Sequence, residues 1–250
     1  MKIKVSKPYN NDQILNLVNS FEREGETLSA GRNTIKIFKV NGKELNVKAF
    51  KIPHIINKIA YKYFRKSKAQ RSFEYANYLL DHNILTPKPI AYIDQYDVYG
   101  LNKSFYISEN LKYDLTFREL IYDFDYPERE VILSQFAEFT YNLHENGINF
   151  LDHSPGNTLI VKNGKGRYDF YLIDLNRMEF GKMSYKAKIK NFQRLGLDNK
   201  MGEIVGEKYA ELAGMDSKKI IEDMKRTTKE FFENRKKKNE LKKKLGLKKN

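Results

Sequence analysis

Residues 143–177 read LHENGINFLDHSPGNTLIVKNGKGRYDFYLIDLNR, and they contain the polar residues on which the interpretation of this chain depends. Asp152 lies in a loop with a proline and a glycine, and Asn157 closes that loop before an apolar run. Two glycines then mark a turn, and residues 168–173 are predicted to form a second strand that ends at Asp174. The stretch therefore predicts a hairpin with an oxygen ligand at each end and a further carboxylate in the preceding loop.

This arrangement of oxygen groups fits in-line phosphoryl transfer of the protein-kinase type. Such a reaction needs a carboxylate that positions the attacking hydroxyl and oxygen ligands that hold magnesium against the phosphates. Asn157 follows Asp152 by five positions, and Asp174 follows Asn157 by seventeen. We assign Asp152 as the catalytic residue and Asn157 and Asp174 as metal ligands. Taken singly, each of these residues is also explained as a turn or cap residue. The spacing between Asp152 and Asn157 is by itself common among proteins.

A strand lysine and a helix glutamate are the second requirement of such a site, since the lysine holds the α- and β-phosphates and the glutamate orients it. The predicted strand 45–51 carries both Lys48 and Lys51, which lie three positions apart and so face opposite sides. We favour Lys48, because it directly follows a core valine, and Lys51 remains the alternative. Glu74, on the predicted helix 67–82, is the candidate partner.

The other nucleotide contacts are less clearly marked. No G-x-G-x-x-G motif precedes the lysine, so the turn before the first hairpin is the candidate cover for the nucleotide. From this turn and from the predicted junction between two lobes we select the remaining cofactor-binding candidates, which are Gly31, Arg32, Asn33, Glu109 and Leu111.

The order of predicted elements indicates an α+β fold with two lobes, because strands dominate the first part and helices the second. We expect a small β-rich lobe over residues 1–110, a mainly helical lobe over 111–234 and a basic tail over 235–250. The predicted segments are a helix at 12–23, a hairpin at 34–40 and 45–51 around Asn41-Gly42, a basic amphipathic helix or insertion at 54–66, strands at 90–93 and 103–108, a helix at 128–146 with Pro127 at the first helical position, a helical stretch at 184–213, and a long helix from Ser217.

Composition restricts the class of protein. The 250 residues carry a formal net charge of +14, which favours anionic partners, although a lysine-rich proteome would explain the charge equally well. With no cysteine, a disulfide framework or thiolate zinc site is excluded. The first residues lack the apolar region of a secretory signal, and no apolar run is long enough to span a bilayer, so we expect a cytoplasmic protein.

Residues 31–177 resemble the lipopolysaccharide kinase family, the Kdo and heptose kinases of bacterial envelope synthesis. The resemblance rests on VKAFK (47–51), on FEYANYLL (73–80) leading into NILTPKPIAYI (83–93), on residues 143–157 and on LIDLNR (172–177). It implies a protein-kinase-like fold, ATP and Mg²⁺ as cosubstrates, and a sugar hydroxyl of the lipid A–inner core as acceptor.

The sequence departs from that pattern at several positions. Phe150 replaces the usual histidine before the catalytic aspartate, and Leu175-Asn176 replaces the Phe-Gly after the metal aspartate. His153 is expected to be an exposed loop residue, with contact to an acceptor phosphate as the alternative. Three rival functions stay open: a RIO-like protein kinase, a small-molecule phosphotransferase, and a non-catalytic pseudokinase or nucleic-acid-binding protein. No nucleic-acid-binding motif is present, so nucleic acid is not an expected partner.

The end of the chain carries the strongest local charge. Residues 235–250 contain nine Lys or Arg and one Glu, with Leu241 and Leu245 among them. Such a segment suits the anionic surface of the inner membrane, and a solvated basic tail is the equally good alternative. We therefore expect an anionic sugar acceptor and a peripheral association with the inner membrane through this tail.

Overall fold

The computed structural model describes residues 1–164 and 166–246. Eleven strands, eight α-helices and one short 3₁₀ helix are assigned in this described part. In chain order they are β1 Lys2–Val5, α1 Asn11–Ser20, β2 Glu26–Ala30, β3 Thr34–Val40, β4 Lys43–Ala49, α2 Ile55–Tyr63, α3 Lys68–Asp81, β5 Pro89–Asp97, β6 Gly100–Glu109, β7 Leu115–Thr116, α4 Phe117–Tyr122, α5 Arg129–Glu145, β8 Ile148–Phe150, the 3₁₀ helix Pro155–Asn157, β9 Thr158–Lys162, β10 Tyr168–Leu172, β11 Met178–Phe180, α6 Tyr185–Phe192, α7 Asn199–Ala213 and α8 Ser217–Lys244.

These elements form two compact units. The first consists of Met1–Lys112 and Leu172–Arg177, and the second of Tyr113–Tyr171 and Met178–Asn250 as far as they are described. The first unit is built on an antiparallel sheet with the strand order β1-β5-β6-β4-β3-β2, and the second is mainly helical. The predicted α+β fold, β-rich first and helical afterwards, is therefore confirmed.

The sheet of the first unit buries apolar side chains on both faces. Leu45 and Val47 of β4 lie in one core with residues of α1 such as Leu17. On the opposite face, Phe50 packs with Phe73 of α3 in a second core. Because side chains alternate along β4, Val47 and Lys48 point to different faces. Lys48 therefore lies on the face that α3 covers.

Local sequence signals account for several of these elements. Asn41 and Gly42 both have positive φ values, 51° and 74°, as a two-residue hairpin turn between β3 and β4 requires. The Ser67 side chain accepts the backbone N–H of Gln70 at 2.9 Å and so caps α3, as predicted. The predicted hairpin and the predicted helix at 67–82 are both confirmed, with small shifts at their ends.

In the second unit, an aromatic cluster joins the strands to the helices. Phe117 of α4, Phe136 of α5 and Phe170 of β10 lie in one buried core with residues of α6 and α7. Helix α8 packs closely on α7, because a Cβ at Gly206 would stand 2.6 Å from Cγ1 of Ile221. The glycine therefore permits the close approach of the two helices. None of the helices in the described part is long and apolar enough to cross a membrane.

Two expectations about helices were wrong, and one strand was not predicted. Glu128, in the left-handed conformation at φ 58°, is the N-cap of α5, so Pro127 lies outside the helix. The helical stretch 184–213 is two helices, because the chain leaves α6 and turns at Gly196 with φ 70° before α7. The short strand β1 was not predicted, since it is stabilised by pairing with the distant β5.

The described part of the tail, residues 235–246, continues α8 as far as Lys244, and residues 247–250 lie outside the described part.

Candidate active site

In the first unit, Lys48 is paired with Asp174. Its Nζ lies 2.7 Å from Oδ1 of Asp174, and the lysine side chain is only 14% exposed. Asn176 Nδ2 donates to the same oxygen at 2.6 Å. The charged lysine and the amide both satisfy the carboxylate, so the predicted phosphate-binding lysine and one predicted metal ligand are brought together. Lys51 is exposed and does not form this contact.

The backbone around Asp174 is held by the connection between α3 and β5. The Thr86 hydroxyl donates to the Leu172 carbonyl at 2.8 Å, and the Leu172 N–H donates to the Leu85 carbonyl at 3.0 Å. Asp174 itself has a φ of 58°, a conformation that costs an aspartate some free energy. The Thr-Pro connection therefore fixes the strand end on which Asp174 stands.

Glu74 lies on α3 as predicted but does not meet Lys48. Its Oε2 is 2.7 Å from Nζ of Lys66, and its Oε1 accepts from Gln70 Nε2 at 3.0 Å. Lys66 is close because it directly precedes the helix cap, and this hydrogen bond raises the pKa of Lys66. The expected orienting contact between Glu74 and Lys48 is thus replaced by the Lys48–Asp174 pair. The role of Glu74 in nucleotide binding stays a prediction.

The remaining nucleotide candidates lie in a turn and at a strand end. Gly31, Arg32 and Asn33 connect β2 to β3, and the Asn33 side-chain oxygen accepts the backbone N–H of Lys51 at 3.2 Å. Glu109 ends β6, with Lys43 Nζ 3.4 Å from its Oε1, and Leu111 follows two residues later near the end of the first unit. The positions of these residues do not test whether they bind nucleotide. The turn at 31–33 and the pair Glu109 and Leu111 therefore remain predicted nucleotide contacts.

In the second unit, the loop after β8 brings Asp152 and Asn157 together. Asn157 Nδ2 donates to the backbone carbonyl of Asp152 at 2.8 Å, so the amide closes the loop. The carboxylate of Asp152 is paired with Arg194, whose Nη2 lies 2.7 Å from Oδ1. Arg194 follows α6, and its guanidinium also lies 5.5 Å from the ring centre of Phe231 on α8. The sequence had not pointed to Arg194, because only tertiary contact brings it to the loop.

A buried polar network supports the same loop. His153 Nδ1 is 2.7 Å from Oδ1 of Asn191, and Asn191 Nδ2 donates to the Phe150 carbonyl at 3.0 Å. Asn149 also accepts from Asn191, at 2.9 Å. The network therefore ties both sides of the loop to α6, in place of the missing histidine at position 150.

The expectation that His153 is an exposed loop residue was wrong, and so was the alternative that it contacts an acceptor phosphate. His153 is fully buried, with Phe136 and Phe150 beside its ring. Burial lowers the pKa of His153 to about 4, although the hydrogen bond to Asn191 works against this. His144 is also buried, and its pKa falls to about 3. Both rings are thus neutral near pH 7 and serve as structural groups.

The predicted metal ligands, Asn157 and Asp174, belong to different units. Within residues 1–164 and 166–246, no group of three or more His, Asp or Glu side chains has the arrangement of a metal site. Magnesium in phosphoryl-transfer enzymes commonly has one or two protein carboxylates and completes its coordination with phosphate oxygens and water. The assignment of Asn157 and Asp174 as ligands remains a prediction.

Comparison with known proteins identifies the family. The model of the lipopolysaccharide kinase (Kdo/WaaP) family matches residues 15–222, which is most of the chain. The chain belongs to this family. It is therefore an ATP-dependent phosphotransferase that acts on an alcohol group, which favours the kinase interpretation over the pseudokinase alternative.

A solved structure supports the same fold. The chain resembles a structure described as WaaP in complex with acyl carrier protein, with a TM-score of 0.64 and 15% sequence identity. The alignment covers 92% of this chain and 99% of the WaaP chain. No curated protein matches the sequence. The kinase-like architecture is thus shared over nearly the full length of both chains, despite the low identity.

Proposed function

We propose that this member of the lipopolysaccharide kinase family transfers phosphate from ATP to a hydroxyl of Kdo or heptose in the lipid A–inner core. The observation that carries the proposal is the 2.7 Å pair between Lys48 and Asp174. It joins a largely buried strand lysine, suited to nucleotide phosphates, to a carboxylate at the end of a strand. These are the two groups that phosphoryl transfer requires on the nucleotide side.

Asp152 would accept the hydrogen bond of the sugar hydroxyl and orient it for attack. Its loop is suited to this task, because Asn157 and the buried His153–Asn191 pair fix the loop backbone. Arg194 neutralises the carboxylate and holds its orientation before the acceptor arrives. A prepositioned carboxylate reduces the reorganisation required in the transition state.

The donor set agrees with magnesium as the accompanying cation. A carboxylate from Asp174 and an amide oxygen from Asn157 are hard oxygen ligands of the kind that Mg²⁺ prefers. When bound, the cation would neutralise charge on the phosphates of ATP. Lys48 would hold the α- and β-phosphates. Gly31, Arg32 and Asn33 are the candidate residues that cover the nucleotide. Glu109 and Leu111 are the candidates for contact with the rest of the nucleotide.

An acceptor on a membrane lipid suits the charge of the chain. The net charge of +14 attracts phosphorylated lipid and an anionic membrane surface. The described part of the tail, residues 235–246, is almost entirely exposed. We propose that it assists a peripheral association with the cytoplasmic side of the inner membrane.

The test is phosphate transfer from radiolabelled ATP to purified Kdo–lipid A and to heptose-extended core. We expect wild-type transfer to one of these acceptors and loss of transfer in Asp152→Asn, since the carboxylate orients the hydroxyl. Asp125→Asn is the matched control, because Asp125 is an exposed aspartate in a different loop. Transfer to protein serine instead would favour a RIO-like kinase, and absence of transfer to both lipids would contradict the proposal.

A further inference from the structure

The first unit contains a cavity of about 310 Å³ with an unusual concentration of positive charge. Its charged lining residues are Arg32, Lys51, Lys68 and Arg177, and none of the described residues that line it is acidic. Arg32, Lys51 and Lys68 form no ion pair in the described part of the chain. We call this the basic cavity. Positive charges gathered close together repel one another, and a bound anion lowers that cost.

The energetic effect of this crowding is visible at Lys68. Burial lowers the pKa of Lys68 and, although the charge of Asp174 works against this, the nearby charges of Arg32 and Arg177 lower it further. Arg71, one turn along α3, acts in the same direction, and its Nε is buried without a hydrogen-bond partner. An anion in the cavity would relieve this repulsion and give Lys68 a partner.

The neutral lining of the basic cavity suits a sugar. His54, Asn57 and Asn102 present imidazole and amide groups, and Tyr61 adds a hydroxyl. Groups of this kind donate to and accept from sugar hydroxyls. Phe50 also lines the cavity, and its ring centre is 5.3 Å from Nζ of Lys48. The basic cavity therefore lies next to the candidate nucleotide lysine without including it.

We propose that the basic cavity binds a phosphate or carboxylate group of the sugar acceptor, an inference that rests on the proposed function. Of the predicted nucleotide residues, Arg32 and the alternative lysine Lys51 are in the lining, whereas Lys48, Glu109 and Leu111 are outside it. The acid group bound there would hold the acceptor beside Lys48. The lipid A–core is rich in such acid groups, so this contact would contribute to both affinity and orientation.

The test compares Lys68→Gln with Lys39→Gln, an exposed lysine of β3 outside the cavity. Lys68 is preferred to Arg32 or Lys51, because those two were candidate nucleotide residues. We expect Lys68→Gln to raise KM for Kdo–lipid A at least about tenfold, since a charge-assisted hydrogen bond is lost, while KM for ATP stays unchanged. Lys39→Gln should leave both constants unchanged. A rise in KM for ATP alone would assign the cavity to nucleotide phosphate and overturn the proposal, as would no change in either.

A binding measurement separates this proposal from the proposed function. Calorimetry with deacylated Kdo–lipid A saccharide, without ATP, reports the cavity alone. If Lys68→Gln loses saccharide binding and the wild type shows no turnover, the result supports acceptor binding in the basic cavity and contradicts the proposed function. If the wild type shows turnover and Lys68→Gln binds the saccharide as the wild type does, the result contradicts acceptor binding in the basic cavity and supports the proposed function.

A second observation concerns helix α2, which has no buried residue and turns its apolar side to solvent. Ile55, Ile56, Ile59 and Tyr63 lie within an arc of about 100° on this helix. Ile56 is 79% exposed, and Phe64, directly after the helix, is 83% exposed. An exposed apolar row of this length is unusual on a protein surface and indicates a contact partner.

Helix α2 is nevertheless held in place on its other side. Lys58 Nζ is 3.2 Å from Oδ2 of Asp97, and Lys62 Nζ donates to the Asp97 carbonyl at 3.5 Å. A Cβ at Gly100 would stand 2.5 Å from the Lys58 carbonyl oxygen, so the glycine lets the helix backbone rest on β6. The orientation of the apolar row is therefore set by specific contacts, and the row is left uncovered.

The charge of the segment indicates what covers the row. Residues 51–66 contain five Lys or Arg and no Asp or Glu. A short helix with apolar residues on one side and basic residues beside them is suited to the surface of an anionic bilayer. We infer that the apolar row of α2 inserts into the headgroup region of an anionic lipid surface. His54, Asn57 and Tyr61 of the same segment line the basic cavity, which would then open beside the lipid.

The test is co-sedimentation with vesicles of phosphatidylcholine, with and without phosphatidylglycerol. We expect Ile56→Ser and Phe64→Ser to weaken binding to the anionic vesicles by at least about tenfold, whereas Tyr122→Ser, an equally exposed aromatic in the second unit, should not. Circular dichroism confirms that each variant is folded. Unchanged vesicle binding in both α2 variants would overturn the inference. So would retained vesicle binding combined with lost binding to purified acyl carrier protein, which would assign the row to an acidic protein.

Discussion

Asp152 and Asp174 are both candidate functional carboxylates, but they are supported in opposite ways. Asp174 is held by charge, since Lys48 and Asn176 both bond its Oδ1, and its backbone is in the left-handed conformation. Asp152 is held by its loop, and its carboxylate is paired with Arg194. We therefore expect substitutions of their partner residues to affect the two carboxylates differently.

The loop of Asp152 has a support that does not involve its carboxylate. The His153–Asn191 pair is buried and bonds the Phe150 carbonyl, so the loop backbone is fixed whatever residue stands at position 152. Asp174 has no comparable buried network among the described contacts of its side chain. Its position depends on the strand end that Thr86 holds.

The largest effects are expected when either carboxylate is removed. Asp152→Asn and Asp174→Asn should each lower kcat by about 10³-fold, since the first loses the hydroxyl-orienting group and the second a phosphate-side charge. Steady-state transfer to the acceptor measures both. Residual activity above about one tenth of the wild type in either variant would contradict its assigned role.

The backbone of Asp174 permits a sharper test of the comparison. Asp174→Gly removes the carboxylate but also relieves the left-handed conformation, so the free energy of unfolding should stay within about 1 kcal/mol of the wild type while activity is lost. Asp152→Gly has no such compensation, because no positive φ is found at Asp152, and it should be the less stable variant. Urea unfolding of both proteins measures the difference, and equal destabilisation would argue against this account.

A smaller effect is expected at Arg194. Arg194→Gln should lower kcat about tenfold and leave KM for ATP unchanged, since the Asp152 carboxylate loses its orienting charge but keeps its loop. Arg194→Lys should recover part of the loss, because the charge returns without the guanidinium geometry. If Arg194→Gln had wild-type kcat, the ion pair would have no role in positioning Asp152.

The loop network should make stability depend on pH. His153 has a folded pKa of about 4, below the ordinary value of 6.5, so the unfolded chain binds more protons between these values. Stability should therefore be greatest above pH 6.5 and fall towards pH 4, by at most about 1.4 kcal/mol per pH unit for this group. His153→Gln should flatten this dependence. Urea unfolding at pH 7 and pH 5 measures the slope, and parallel slopes for the two proteins would contradict the prediction.

The smallest effect is expected at Glu74. Because Glu74 pairs with the exposed Lys66 and not with Lys48, Glu74→Gln should change kcat/KM by no more than about twofold. Lys66→Gln is the matched control and should behave in the same way. A loss of about 100-fold in Glu74→Gln alone would mean that Glu74 turns to Lys48 when nucleotide binds.

Much of the fold followed from local signals. The Asn41-Gly42 turn, the Ser67 cap and the long helix from Ser217 were all predicted, because each depends on residues close in the chain. The family resemblance came from short motifs and was confirmed over residues 15–222. By contrast, β1 and the division of residues 184–213 depend on pairing and packing with distant segments, which hydrophobic periodicity does not report.

The sequence by itself determined the α+β class, the family and the identity of the candidate residues, because motif spacing and capping are local properties. Only the tertiary structure decided which charges meet. Lys48 meets Asp174 from 126 positions away, Glu74 meets Lys66, Arg194 reaches Asp152, and His153 is buried. It also decided that α2 exposes its apolar side and that four separate segments bring their cations to one cavity. The physical reason is that burial and ion pairing depend on distances between remote segments, which no local pattern encodes.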